Sequence, residues 1–323
     1  MPRKARLSVP GAVTHVMARC LDGLCLLKDK DDGRFFVDTL SRYLNDTGCR
    51  CYAWALMTNH YHVVLRLGEG ELWQTLKPLN MRLAQYHNKK YGHRGPLFMD
   101  RFKSIVTQDQ NYIEELVRYV HLNPLRAGIC TTVHALENYP WSGHRALMGL
   151  ESNGFQDIMT VLNRFGKNNA LARKAYAEFL SEGNNGTGDR LLMGLVRSSN
   201  ENIEKGRSPY RWVIGDRDFV RDVIKKSYAR HLRISRFERE GADFTPIALR
   251  ICKAYGVLYD DLLRRHRGGP GSGARKCFCF VATRRFGATV KAVSDYLRVH
   301  PTTVSAMARK GKELAKEKRL LSI

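Results

Sequence analysis

The chain has 323 residues, 43% of them hydrophobic, and 54 Lys and Arg against 31 Asp and Glu, a formal net charge of +23 at pH 7. Length and apolar content suffice for a buried core and for two domains, and so basic a surface gathers polyanions, nucleic acid first. No run reaches the roughly 18 apolar residues of a membrane span, no apolar signal core follows the basic N-terminus, and the eight cysteines form no C-x-x-C pair. A cytoplasmic protein with reduced thiols is the expectation.

In chain order, the pattern predicts a strand over 12–20 and an amphipathic helix over 31–48 that stops at Gly48. Two strands, "RCYAWALM" and "HYHVVLRL", follow around a short turn at Thr58-Asn59. A helix from 72 to 90, a Gly-containing loop, a strand near "RFKSIVTQ" and a helix "NYIEELVRYVHLNP" ended by Pro124 complete the first part. The order βαββαβ plus a helix suggests an α+β fold, a ferredoxin-like antiparallel sheet with helices on one face.

His60 and His62 stand two apart on a strand, so both imidazoles share one face while Tyr61 points to the other. An H-x-H pair makes a candidate metal face, although such pairs also occur as ordinary core or surface residues. Tyr119 and Asn123, four apart on a helix, look in one direction, and Tyr112 lies on nearly the same stripe as a rival. The bland alternative is an amphipathic packing face. His87, His93, His121 and His144 read as structural or surface residues, while His15, on the first strand, is placed to line the same groove.

His60-Tyr61-His62, "GPLFMDRFKSI", "YVHLNPLRAG" and "YPWSGHRAL" occur in the order found in a known family. Over roughly residues 1–150 the chain resembles the REP-associated tyrosine transposases, single-tyrosine HUH transposases of bacteria. The resemblance implies an HUH nuclease fold, His60, His62 and Asn123 as ligands of Mg²⁺ or Mn²⁺, and Tyr119 as the nucleophile. Tyr119 would cleave and rejoin single-stranded DNA at hairpin-forming repeats through a 5′-phosphotyrosine, in DNA transposition. Arg101 and Lys103 would meet backbone phosphates. Relatives include monomers and intertwined dimers, so a homodimer is one expected assembly, nucleoid-associated in the cytoplasm. A metal-dependent hydrolase and a non-catalytic DNA-binding regulator are the competing readings; no general-base carboxylate of the H-E-x-x-H kind stands beside His60.

Beyond 150 the positive excess grows. Residues 151–240 read as a helical extension with a linker at "EGNNGTGDR", and 241–323 as short helices forming a helix-turn-helix, with "RGGPGSG" as a flexible break. The last segment resembles the DNA-binding domain of the bacterial replication initiator through "VSDYLRVHPTTVSAMARKGK". That resemblance implies DNA contacts from His300, Thr302, Thr303, Ser305, Arg309 and Lys310. Arg264, Arg265 and Arg275, around the Gly-rich loop, are further phosphate candidates.

Overall fold

A computed structural model describes residues 7–68, 70–183, 213–239, 243–264, 268–318 and 320. The chain divides into two compact units at Lys225/Lys226.

The first unit is α+β. It comprises β1 (Val13–Arg19), α1 (Lys30–Thr47), β2 (Arg50–Leu56), β3 (His60–Arg66), α2 (Leu72–Tyr91), β4 (Lys103–Thr107), α3 (Asp109–His121) and α4 (Asn123–Arg126). Then come α5 (His144–Met148), α6 (Ile158–Leu162), α7 (Asn169–Glu182), β5 (Val213–Ile214) and α8 (Arg217–Arg239), which runs across the division between units.

Local chemistry fixes these ends. Asp29 caps α1 by accepting from the Asp31 and Asp32 amides, Asp32 answers with its own carboxylate, and Gly48 closes the helix in the left-handed region. The β2–β3 hairpin is held where the Met57 amide donates to the His60 carbonyl at 2.8 Å. Its turn is anchored by the Leu26 and Leu27 amides, which donate to Thr58, and by Cys20, whose amide donates to Asn59.

The strands lie in the order β2-β3-β1-β4-β5. The first four pair antiparallel, whereas β5 joins β4 in parallel, so the expected antiparallel sheet is a mixed one. Helices cover both faces, not one. Val16, Trp54, Tyr61, Val63 and Leu65 pack with α1 and α2, while Val13, Tyr52, Ala55, Val64 and Ile105 pack with α3, α6 and α7. Strand alternation requires this, because β1, β2 and β3 are apolar on both sides. A bulge between Cys51 and Ala53 lets Tyr52 join the second of these faces.

The break expected at residue 150 is absent. Phe155, Val161, Leu162, Ala172, Tyr176 and Leu180 are buried in the cores of this unit, so α6 and α7 belong to it. Most of the expected linker, 184–190, lies outside the described residues.

The second unit is helical where described. Past α8 it contains α9 (Thr245–Tyr255), α10 (Tyr259–Leu263), α11 (Gly269–Phe280), a π-turn over Val281–Arg285, α12 (Val290–Leu297) and α13 (Pro301–Glu317). The expected flexible break lies largely in the first turns of α11: Pro270 suits a helix start, and Gly273 gives room to the Tyr255 ring. A Cβ at Gly311 would stand 2.0 Å from the Lys276 carbonyl oxygen, which shows how closely α13 approaches α11. Three residues join α12 to α13, and Arg298 makes the turn at φ 52°.

Candidate active site

Register builds the site. On β1 and β3, Met17 faces His62, Arg19 faces His60 and His15 faces Val64, so His15, Met17, Arg19, His60 and His62 share one face of the sheet. Lys103 of β4 faces Met17 and joins the same row. Helix α3 lies over this face through Ile113, Leu116, Val117 and Val120, and it delivers Tyr119 to the histidines.

His62 is 2% exposed and His15 4%. Nδ1 of His62 and Nε2 of His15 lie 2.9 Å apart, a hydrogen bond between diagonal neighbours on adjacent strands. The Tyr119 ring stands edge-on to both imidazoles, with centroids 5.4 Å from His15 and 5.6 Å from His62 and interplanar angles of 82° and 84°. His60 and His62 meet at 5.0 Å, also nearly perpendicular.

The protonation states favour ligation. Burial, reinforced by His15, His60 and Arg126, holds His62 well below the usual histidine range, so its imidazole is neutral. Nδ1 of His60 lies 2.8 Å from Asn59 Oδ1, an oxygen that can only accept. Nδ1 of His60 is therefore the donor of that bond, and in the neutral ring the lone pair is on Nε2. No group of three or more His, Cys, Asp and Glu side chains is arranged to hold a metal ion among the described residues. The Nε2 of His15 is engaged with His62, so that atom is not a third ligand beside His60 and His62. Two histidines would therefore need an oxygen from another residue type.

Asn123 is a residue of that type, and its side chain lies against the Tyr119 carbonyl. Helix α3 does not end at Pro124: it breaks at Leu122, and the chain turns again as α4 with Pro124 in its first turn. The Asn123 Nδ2 donates to the carbonyls of Tyr119 at 2.8 Å and Val120 at 3.3 Å. With its nitrogen so occupied, Asn123 offers Oδ1 for ligation. The donor set of two imidazole nitrogens and an amide oxygen fits a divalent cation.

Two cations escaped the sequence reading. Arg126 donates through Nη1 to the Tyr119 carbonyl at 3.1 Å, and its guanidinium lies 5.2 Å from the Tyr119 ring centroid. The spacing Tyr119, Asn123, Arg126 is a helical i, i+4, i+7 stripe and could have revealed it. Arg19 is exposed opposite His60, and the alternation His15, Met17, Arg19 was its signal.

Tyr112 packs as a half-buried residue against the core, whereas Tyr119 makes ring contacts with both His15 and His62. Tyr61 faces away, donating to Asn80 Oδ1 at 2.6 Å, and burial pushes its hydroxyl pKa up. His121 and His144 are buried, each with Nδ1 beside the Tyr176 hydroxyl, at 2.8 and 3.0 Å. Arg101 is exposed in the loop before β4, and Lys103 is exposed at the start of that strand.

In the second unit, Arg275 is corrected from a phosphate contact to a core residue. It is 1% exposed, and its guanidinium donates to the carbonyls of Leu262, Arg264 and Leu297, tying together the ends of α10 and α12. Arg264 is exposed, and Arg265 lies outside the described residues. His300 caps α13 by accepting from the Thr302 amide, and Thr302, Ser305, Arg309 and Lys310 are exposed, Thr303 partly so. Thr302, Ser305 and Arg309 form one face, opposite the Val304, Ala308, Gly311 and Ala315 face that is buried.

Sheet and site define an α+β protein with a buried imidazole pair against a helix-borne phenol. No family model matches the chain, and no curated protein matches it. Among solved structures, the chain is similar to that of a REP-associated tyrosine transposase bound to a REP hairpin, at 17% identity and a TM-score of 0.37. The similarity covers 49% of this chain and 93% of that one. No described helix is long and apolar enough to cross a membrane.

Proposed function

We propose that the first unit cleaves and rejoins single-stranded DNA with Tyr119 as its nucleophile, on a ferredoxin-like HUH sheet formed by β2-β3-β1-β4. The observation that carries this reading is the meeting of Tyr119 with the His15–His62 pair across three elements. The motif order in the sequence supplies the reaction and a substrate class, hairpin-forming repeats.

Tyr119 Oη attacks the scissile phosphorus, the bond from phosphorus to the 3′ oxygen breaks, and the phenolic proton ends on the departing 3′-hydroxyl. A 5′-phosphotyrosine remains, and a 3′-hydroxyl can reverse the step. His60, His62 and Asn123 would hold Mg²⁺ or Mn²⁺, which when bound supplies Lewis-acid neutralisation of the phosphate oxygens. Arg126, over the Tyr119 ring, favours the phenolate, since a cation nearby stabilises an anion. Arg19, Arg101 and Lys103 are assigned to backbone phosphates. In the second unit, the exposed face of α13, headed by His300, is assigned to DNA as a helix-turn-helix with α12.

A labelled hairpin oligonucleotide incubated with protein and Mn²⁺ tests the reading. A covalent protein–DNA band that disappears in Tyr119→Phe and survives in Tyr112→Phe is expected. Cleavage without any covalent species favours the hydrolase, and binding without cleavage favours the regulator.

A further inference from the structure

We propose that His15 is a positioning residue that sets the tautomer and orientation of His62, an inference that rests on the metal-site reading above. The two imidazole planes are within 4° of parallel, with centroids 5.2 Å apart and facing nitrogens 2.9 Å apart. Face-to-face rings would have closer centroids. Rings joined edge to edge through one N–H···N bond have this spacing, and coplanarity is the geometry in which such a bond is straight.

One proton occupies that bond, and its ownership decides what His62 can do. If His62 Nδ1 carries it, His62 Nε2 presents a lone pair and can ligate a cation. If His15 Nε2 carries it, the His62 proton moves to Nε2 and ligation there is blocked. His15 belongs to β1 and His62 to β3, so sheet register aligns the bond before any ligand arrives. Burial of both rings shields it from competing water. Tyr119 leans edge-on against both imidazoles, so fixing the plane of the pair also fixes the surface against which the nucleophile rests.

His15 thus takes the part that a carboxylate or carbonyl takes behind many metal-binding histidines. A neutral partner suits this position: a carboxylate would add a buried charge within reach of Tyr119 and disfavour its anion.

Two measurements on the full-length protein test this. In metal-free wild-type protein, imidazole ¹⁵N spectra should show His62 protonated at Nδ1 and not at Nε2; the opposite tautomer overturns the inference without any substitution. Mn²⁺ binding without DNA, followed by loss of the free-ion paramagnetic resonance signal, should weaken about 10- to 100-fold in His15→Phe, the usual range for loss of such a partner. His15→Gln, whose Oε1 can accept from His62 Nδ1, should recover most of that affinity. Equal Mn²⁺ affinity in wild type and His15→Phe overturns the role of His15 alone. Absence of Mn²⁺ binding by wild type overturns the metal site itself, and the inference with it.

Discussion

The side-chain nitrogen of Asn123 donates to the backbone carbonyl of Tyr119 at 2.8 Å, so the residue proposed to offer an oxygen to the metal also closes the helix that carries the proposed nucleophile. The two duties use different atoms of one amide. Asn123→Asp keeps an oxygen and loses the donor, whereas Asn123→Ala loses both. Mn²⁺ affinity should fall at least tenfold in the alanine variant and less in the aspartate variant, as an isothermal titration would read. Both should melt earlier, by about 1 kcal/mol of stability for the lost helix-end hydrogen bonds.

Arg19 and Lys103 lie on the histidine face and are exposed, and the proposed function assigns them to backbone phosphates. Each phosphate contact on a single strand contributes about 0.7 to the slope of log K against log salt. Arg19→Ala with Lys103→Ala should flatten that slope by about 1.4 and weaken binding to unrelated single strands equally, in fluorescence anisotropy over a salt series.

The His121–Tyr176–His144 network carries a pH dependence of known sign. Burial lowers His144 to about 4 and holds His121 well below the ordinary value. The unfolded chain, with histidine near 6.5, binds these protons more readily than the folded one. Stability is therefore full above about pH 6.5 and is lost as pH falls toward 4, by up to roughly 3 kcal/mol for His144. Urea midpoints measured across this window should fall with pH, and the fall should be shallower in His144→Gln.

Gly311 leaves no space for a side chain against Lys276 and Phe280. Gly311→Ala must push α13 away from α11, at a cost on the order of 1–3 kcal/mol by the usual scale of overpacking. Calorimetry should show the second unit melting earlier while the Tyr119 adduct on a short hairpin persists. Loss of the adduct would contradict the assignment of cleavage to the first unit.

The strands were legible because their chemistry is local. The Thr58-Asn59 turn, the apolar run of β3 and the Gly48 stop are written in adjacent residues. Strand alternation also gave the opposite facing of Tyr61 and His62. Non-local pairings were hidden. Nothing near residue 213 announces that two residues return beside β4, and nothing in "SGARK" says that Arg275 will cap the carbonyls of two other helices. The boundary placed at 150 separated Tyr176 from the unit in which it stands between two histidines. Arg126 was legible in principle from its helical spacing to Tyr119, but that its guanidinium lies over the phenol ring is a tertiary fact that spacing does not give.

The parallel pairing of β5 with β4 bears on the order in which this chain is made. Val213 and Ile214 close a sheet whose other four strands have all left the ribosome a hundred residues earlier. Until they arrive, β4 presents an unpaired edge, and such an edge invites pairing with neighbouring chains. A polypeptide ended at residue 150 would keep that edge for good and would also lack Tyr176. The segment between Tyr119 and the second unit is thus a late-arriving wall of the first.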